Sequence, residues 1–473
     1  MAQTHDSSSS SFPSQPSLVE RALGVFTEVR QGESGTALLL TLNVFLLLTA
    51  YYIIKPVREA FILQGGDIDI LGWTVGKAEL KSYASAGMAL LLVGVVSVYG
   101  RLASLVARQR LVTFVTLFFM SNLAVFYALA RVNVSAWLGV AFFLWVGIFN
   151  MMVIAQFWSF ANDIYLPEQG KRLFPLVAFG ASLGAVMGST IAGWIIRLGE
   201  AQMLLWSGLL LGVCILLTNW IHHRETGKRP RETPSESHVE TADASDSVDE
   251  QPVGRKGGFQ LVFQSRYLLL IALLMLLVNL VNSTGEFILS EKVSRTAAEV
   301  IAAGSSDGLS EGQWIGKFYA DFFKVVNILG LVLQLFVVSR ILKYLGMRVA
   351  LMVLPVIALG GYAFLAFGAS LGVLRVIKTM ENATDYSLQN TTRNVLFLPT
   401  SREVKYKAKA AIDTFFVRVG DVASALLVFV GSRLAFSVER FALVNALLVA
   451  FWLIVAVGII RRYEKLPQDR SAH

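Results

Sequence analysis

Apolar runs long enough to cross a membrane follow one another along almost the whole chain, and they constrain its fold more than any other feature. A helix needs about 20 residues to cross a hydrocarbon core ~30 Å thick. Hydrophobic residues make up 55% of the 473 positions and charged residues only 16%, unlike a soluble domain. We therefore predict an all-α polytopic membrane protein of about twelve transmembrane helices. The runs begin near Thr36, Leu80, Leu111, Val134, Leu173, Gln202, Tyr267, Phe318, Met347, Leu371, Ala410 and Ser437.

A polar stretch divides these runs into two sets of six. Residues Arg224 to Lys256 are rich in Glu, Asp, Ser, Thr and Pro, and such a segment buries too little apolar surface to fold. We therefore predict five regions: a polar N-terminal tail at 1–35, a six-helix half at 36–222, a disordered cytoplasmic linker at 223–266, a second six-helix half at 267–461 and a tail at 462–473.

A short basic stretch occurs at the same place in each half. Gly100 to Arg110 follows the second run, and Ser339 to Arg348 follows the eighth. Both are similar to the basic loop between helices two and three of major facilitator transporters. This resemblance favours a major-facilitator-like architecture, in which two six-helix halves enclose a central cavity.

Lysine and arginine concentrate in every second connection, which by the positive-inside rule lies in the cytoplasm. Both termini are then cytoplasmic, and a bacterial inner membrane is the expected location. Lys77 and Lys81 fall in an outer connection in this topology. The net charge of +8 follows from the topology and suits an anionic lipid surface, so it does not indicate nucleic acid binding.

Nothing in the sequence indicates catalysis or a bound cofactor. The single cysteine, Cys214, excludes an internal disulfide and a cysteine metal site. No histidine lies in a membrane segment, and neither a metal-ligand spacing nor a nucleophile with its base can be assembled. We predict that the protein is not an enzyme and holds no cofactor and no metal.

The tenth apolar run is interrupted by charges that recur every three or four residues. On a helix these side chains share one face. Ionised groups near a bilayer centre cost at least ~2.5–3.5 kcal/mol each, so this face is expected to line a water-filled cavity or to pair across the bundle. The polar positions are Arg375, Lys378, Asn382, Asp385, Gln389 and Arg393.

A second charged cluster lies near the end of the first run, where Lys55, Arg58 and Glu59 surround Pro56. Proline removes a backbone donor, so we expect the helix to kink or end there. Two interpretations stay open for these charges. They line the transport path, or they reach from a helix end to the membrane interface.

The remaining intramembrane charges include similar numbers of acids and bases. Mutual pairing is one explanation, and pairs that open when cargo competes for the cation, such as Lys378 with Asp385, are another. Carboxylates without a partner are instead candidates for a coupling proton. The candidate coupling or gating residues are Glu59, Asp163, Glu286, Asp321, Lys324, Asp385, Asp413 and Arg418.

Several motifs resemble the non-mitochondrial ATP/ADP translocases of plastids and intracellular bacteria and their free-living bacterial relatives. The resemblance spans both halves, and its most specific part is the late block. The chain departs from the family at Arg393, where lysine is usual, and at Asn282, where glutamate is expected; Glu286 lies one turn further on. The matching segments are Lys55 to Glu59, Phe157 to Asn162, Lys171 to Pro175, Ala383 to Leu388, Arg393 to Pro399 and Lys405 to Asp413.

The resemblance implies an antiporter in which basic side chains from both halves hold phosphate, because guanidinium and ammonium groups neutralise a polyphosphate. Lys55 and Arg393 would face the cargo, and the ring of Tyr51, Trp158 or Tyr386 could offer a face to a base. The full substrate-binding set is Lys55, Arg58, Lys378, Arg393, Tyr51 and Tyr386.

We therefore predict an alternating-access transporter that exchanges nucleotides of the ATP/ADP type or related phosphorylated organic anions. A proton-coupled major-facilitator transporter of another solute is the alternative. The expected partners are the lipid bilayer and a small anionic solute, and the protein is expected to work as a monomer.

Overall fold

The structure is a computed structural model that describes residues 30, 33–70, 72–105, 108–165, 167–226, 257–401 and 403–465. Its first half contains six long helices and one small antiparallel hairpin. The elements are α1 (Ser34–Gln64), β1 (Ile68–Ile70), β2 (Trp73–Val75), α2 (Lys77–Leu105), α3 (Arg108–Val132), α4 (Ala136–Ile164), α5 (Pro167–Ile195) and α6 (Glu200–Thr226).

The second half follows a short helix at Gly258–Gln264 and again contains six long helices. Three of them are interrupted by wider π-helical turns, which are frequent at functional sites. They are α7 (Arg266–Ala302), α8 (Glu311–Val332, extended by turns to Leu345), α9 (Gly346–Leu365), α10 (Leu371–Thr384, continued by Asp385–Gln389 and Asn390–Val395), α11 (Val417–Arg433, preceded by helical turns from Val404) and α12 (Val438–Tyr463).

The helix starts lie close to those predicted from the apolar runs. The largest differences are at α8, which was predicted from Phe318 and begins at Glu311, and at α11, which was predicted from Ala410 and begins at Val417 after helical turns from Val404. Serine side chains cap several of these starts by accepting a bond from a free backbone N–H of the first turn. The capping residues are Ser135, Ser265, Ser310, Ser370 and Ser437.

Ten stretches of the described chain are long and apolar enough to cross a membrane. One of them, Glu311–Leu365, has 55 residues, and at ~1.5 Å per residue it is too long for one crossing. Gly346, with a φ of 75°, separates it into α8 and α9. Helix α10 is not among these ten stretches because of its charged residues. The protein is thus an all-α, multi-pass membrane protein with twelve long helices in the described residues.

The first helix does not end near Pro56, so this part of the expectation is wrong. Helix α1 continues to Gln64, and Lys55 and Glu59 are buried within it. The interface-reaching interpretation therefore fails for these two residues. Packing against α4, α5 and α6 on several sides holds the helix together past the missing backbone donor.

Small residues let α5 approach α1 closely. A Cβ atom at Gly184 would overlap the carbonyl oxygen of Phe45, and one at Gly188 would lie 2.5 Å from the carbonyl oxygen of Thr49. Backbones can meet at this distance only where side chains are absent, as in other membrane helix pairs. The small residues from Gly180 to Gly188 therefore form a packing surface against α1.

The two halves meet along α1 and α5 with α8, and along α2 with α7 and α11. We call the end that carries β1 and β2 the hairpin end, and the opposite end, where residues 226 and 257 lie, the linker end. At the hairpin end Lys77 Nζ lies 2.8 Å from Glu311 Oε1, and the Arg433 guanidinium lies 4.3 Å from the centre of the Trp73 ring. These contacts join the halves on that side.

The predicted division at 223–266 remains a prediction. Residues 227–256 of that linker lie outside the described residues, and its last part contains the helix Gly258–Gln264. The predicted tails at 1–35 and 462–473 also lie largely outside them.

Candidate functional site

Six charged side chains form a chain of ion pairs between the two halves, which we call the central network. Three carboxylates alternate with three cations, and each carboxylate touches at least one cation. The network consists of Arg58 and Glu59 on α1, Lys81 on α2, Glu286 on α7, and Lys378 and Glu381 on α10.

Lys81 joins the halves within this network. Its Nζ lies 2.7 Å from Glu59 Oε2 in its own half, and 4.0 Å from Glu286 Oε2 in the other. It also donates to the Ser290 hydroxyl at 2.7 Å. The residue is only 6% exposed, so these charges attract one another with little screening by water.

Lys378 continues the network through the second half. Its Nζ lies 3.1 Å from Glu381 Oε2 and 3.4 Å from Glu286 Oε1, and it donates to Asn282 Oδ1 at 3.1 Å. Tyr362 donates to Glu381 at 2.9 Å. Asn282, which departs from the family pattern, therefore accepts a hydrogen bond from the buried Lys378. Glu286, one turn later, supplies the negative charge.

The pair of Lys378 with Asp385, offered as an example of a cargo-sensitive pair, is not formed among the described residues. Seven positions on a helix place the two residues ~10 Å apart along its axis, whereas Glu381 lies one turn from Lys378. The acid that faces Lys378 from its own helix is therefore Glu381.

Lys55 differs from the other cations because no described carboxylate forms an ion pair with it. Its Nζ lies 3.9 Å from the centre of the Phe323 ring and 5.0 Å from that of Tyr52. Ring faces attract a cation only weakly compared with a carboxylate in the same place. Lys55 therefore retains most of its capacity to bind an anion.

Three cavities meet beside this network, and Tyr386 lines all of them. The central cavity, about 210 Å³, is lined by Lys55, Arg58, Lys81, Asn282, Glu286 and Asn382, among others. The side cavity, about 230 Å³, is lined by Met275, Val278, Asp385, Gln389, Asn390 and Arg393. The linker-side cavity, about 560 Å³, is lined by Tyr51, Tyr52, Lys55, Asn150, Asn327 and Gln334, among others.

The structure brings together most of the predicted substrate-binding residues. Lys55, Arg58, Tyr51, Tyr386 and Arg393 each line at least one of the three cavities. Lys378 is fully buried behind them in the central network. Their roles in binding remain predictions.

The predicted coupling or gating residues are more scattered than the predicted substrate-binding residues. Arg418 pairs with Asp421 at 3.2 Å, Lys324 with Asp321 at 3.2 Å, and Arg393 Nε lies 4.0 Å from Asp413 Oδ1. These contacts agree with mutual pairing.

Two further predicted acids lie outside these pairs. Asp163 is exposed beside the end of α4. Asp385 lines the side cavity.

Sequence reasoning missed Lys81 and Glu381 as site residues, whereas Gln389 was expected on the polar face of α10 and lines the side cavity. Lys81 was assigned to an outer connection, but it lies in the second turn of α2 and is buried against the other half. A polar face on α2, with Lys81 and Ser85 four residues apart, was the available signal. A charge near an apolar run's start does not reveal whether the helix begins before or after it.

Comparisons with known proteins agree with this architecture. The profile of the TLC ATP/ADP transporter family matches residues 131–370 and 354–463. ADP,ATP carrier protein 1 of Chlamydia pneumoniae is 23% identical over 348 residues, which cover 66% of this chain and 64% of that carrier. ADP,ATP carrier protein 1 of Rickettsia bellii (strain RML369-C) is 21% identical over an alignment of 513 positions, gaps included. This alignment covers 94% of this chain and 96% of that carrier.

Solved structures share the fold at low identity. A bacterial homologue of the iron transporter ferroportin in an inward-facing state superposes with a TM-score of 0.59 at 15% identity, covering 92% of this chain and 100% of that one. A mutant of the nucleoside transporter NupG gives a TM-score of 0.59 at 12% identity, covering 90% of this chain and 99% of that one. Together these transporters place the fold in the major-facilitator-like class.

Proposed function

Because the chain belongs to the TLC ATP/ADP transporter family, we propose that it exchanges nucleotides or related phosphorylated organic anions across a membrane by alternating access. The two ADP,ATP carriers named above support a nucleotide as cargo. We propose transport as its activity in place of catalysis, with no chemical step on the cargo.

One observation carries the proposal: three cations line a single cavity between the halves, and one of them has no acidic partner among the described residues. Lys55, Arg58 and Lys81 all reach the central cavity. A phosphate group needs several N–H donors and compensating positive charge, and both ammonium and guanidinium groups supply them. Lys55 is the first contact for an anion because it gives up no ion pair on binding.

Cargo would compete with the carboxylates of the central network. An anion that approaches Lys81 weakens its long, 4.0 Å contact with Glu286 before its 2.7 Å contact with Glu59. The first contact joins the halves, and the second lies within one half. Cargo binding therefore loosens the connection between the halves at the point where they must separate, which is the step that exchange requires.

We further propose the orientation and setting of the protein. The basic connections place the linker end in the cytoplasm of a bacterial cell, at the inner membrane, with both termini on that side. The linker-side cavity, the largest of the three described above, is lined by α1, α4, α5, α8 and α10. In this orientation the structure represents a state that faces the cytoplasm, and one chain contains the complete path, so a monomer suffices.

Counterflow in proteoliposomes tests the proposal. Vesicles are preloaded with unlabelled ADP, labelled ATP is added outside, and uptake is compared for the wild type, Lys55→Met and Lys343→Met. Lys343 is a matched control because it is a lysine near the end of the α8 extension, beyond Gln334, and lines none of the three cavities. We expect uptake that requires internal nucleotide, is lost in Lys55→Met and persists in Lys343→Met.

Two outcomes contradict the proposal. If folded wild-type protein takes up no nucleotide from preloaded vesicles, nucleotide exchange is wrong. If uptake follows an imposed pH gradient and needs no internal nucleotide, proton-coupled transport replaces exchange.

A further inference from the structure

The side cavity contains a buried polar group whose bonding capacity is unused. Gln389 is 3% exposed, and both its amide nitrogen and its amide oxygen lack a hydrogen-bond partner among the described residues. A buried amide without partners is destabilising, so such a group points to a ligand or to water. An amide offers a donor and an acceptor side by side, and it therefore matches a group with the reverse pair.

A carboxylate stands beside it with its own acceptors unused. Asp385 lies one turn before Gln389 and lines the same cavity. No described residue forms an ion pair with Asp385 or donates a hydrogen bond to its side chain. Arg393 donates to Asn390 at 3.0 Å and faces Asp413, although its Nε has no hydrogen-bond partner among the described residues. The Gln389 amide and the Asp385 carboxylate are thus neighbouring groups of this cavity with unused bonding capacity.

The walls of the side cavity suit a flat ring. Tyr386 is 48% exposed, and its ring is the largest open surface there, while Met275 and Val278 supply apolar contacts. An aromatic face and aliphatic edges are the usual surroundings of a stacked base. The volume of about 230 Å³ is sufficient for a fused two-ring base.

The position of Tyr386 links this cavity to the cations. The same side chain lines the central cavity, where Lys55, Arg58 and Lys81 lie. A molecule whose phosphates occupy the central cavity can therefore pass Tyr386 and place its other end in the side cavity. Nucleotides have this build, with an anionic end and a flat polar ring at the other.

From these observations we infer that the side cavity is a nucleobase subsite selective for a base that carries an exocyclic amino group beside a ring nitrogen, such as adenine. Gln389 pairs with the amino group and the ring nitrogen, the arrangement by which glutamine reads adenine. Asp385 accepts the second amino hydrogen, and Tyr386 stacks on the ring. This inference rests on the proposed nucleotide exchange and adds the basis of its selectivity.

Competition in the counterflow assay tests the subsite. Uptake of labelled ADP is measured against unlabelled ADP or against purine riboside diphosphate, which lacks the amino group. For the wild type we expect ADP to compete about tenfold more strongly, since the analogue leaves buried polar groups unpaired. Gln389→Leu should reduce this ratio to about twofold or less while exchange continues.

A matched control is available in the first half. Gln156 is also buried, at 1% exposure, and its amide likewise lacks partners among the described residues, but it lines a separate small cavity with Asn43 and Thr218. Gln156→Leu should keep the tenfold ratio. Tyr386→Leu should weaken competition by both compounds by about tenfold and leave their ratio unchanged, because stacking does not depend on the amino group.

The outcomes separate the subsite from the activity. If the wild type exchanges ADP but does not discriminate the two compounds, or if Gln389→Leu keeps the wild-type ratio, the subsite is wrong and nucleotide exchange stands. If Gln156→Leu lowers the ratio as much as Gln389→Leu does, the effect is not local and the subsite is again wrong. Failure of the wild type to exchange any nucleotide overturns both.

Discussion

Removal of the Lys81 charge is the perturbation with the most clearly calculable effect. Lys81→Met keeps an unbranched side chain of similar length but deletes the ammonium group. The change leaves Glu59, which is 1% exposed, with Arg58 as its remaining cation among the described residues, and it takes one of two cations away from Glu286. It also removes the hydrogen bond that Lys81 donates to the Ser290 hydroxyl.

The expected cost follows from burial. Breaking a buried ion pair by removing one partner costs about 3–5 kcal/mol, because the other charge stays behind without compensation. Glu59 retains a hydrogen bond from Arg58 Nε at 3.0 Å, so we expect the lower end, about 3 kcal/mol. Lys77→Met provides the contrast, since its pair with Glu311 has side chains 21% and 31% exposed and should cost at most about 1 kcal/mol.

The free energy of unfolding is measured by denaturant titration in mixed micelles, monitored by tryptophan fluorescence. The proteins compared are the wild type, both single variants and the double variant Lys81→Met with Glu59→Gln. The double variant removes the Glu59 carboxylate as well, and Arg58, whose side chain is 18% exposed at the central cavity, can then be hydrated. We therefore expect it to be at least about 1 kcal/mol more stable than Lys81→Met alone.

Two results would refute the reasoning. A double variant no more stable than Lys81→Met would mean that the reduced compensation of the Glu59 charge is not what destabilises the protein. A loss in Lys77→Met equal to that in Lys81→Met would mean that burial does not set the strength of these pairs.

Two further predictions concern packing and pH. Gly184→Ala should abolish folding or strongly lower thermal stability in detergent, because its Cβ would overlap the Phe45 carbonyl oxygen. Gly193→Ala on the same helix should be tolerated, since the nearest contact of its Cβ would be Asp321 Oδ1 at 3.6 Å. Equal losses of thermal stability in the two variants would contradict the packing argument. Partial burial alone would raise the pKa of Glu33, but hydrogen bonds from Arg172, at 3.0 and 3.2 Å, lower this pKa below its usual range. This pairing stabilises the protein above the unfolded pKa of about 4.3 and is lost as the pH falls through the folded pKa. Thermal melts of the wild type and Glu33→Gln should therefore differ at neutral pH and converge in acid, and a constant difference would contradict the assignment.

The sequence predicted the class of fold because hydrophobicity is a local property. Each run of about 20 apolar residues commits its segment to a crossing helix whatever its neighbours do. The motifs at Lys55 to Glu59 and Ala383 to Leu388 also indicated the family from sequence alone. The charged stripe of α10 indicated a polar interior, since those residues could not face lipid.

The partners of those charges could not be predicted in the same way. Lys378 faces Glu381 and Glu286, Lys81 joins the two halves, and Lys55 is the cation of the central cavity that lacks an acid among the described residues. Pairing depends on which helix faces stand opposite one another across the interface, and sequence spacing fixes only contacts within one helix. The continuation of α1 past Pro56 was also decided by packing on several sides.

The sequence by itself thus determined that this chain is a twelve-helix membrane protein with charges in its interior, because the cost of exposing polar groups to lipid acts on every segment separately. Only the tertiary structure decided which charges neutralise one another and which stay available to cargo. Opposite charges attract over a few ångströms, and that distance is set by how the two six-helix halves meet.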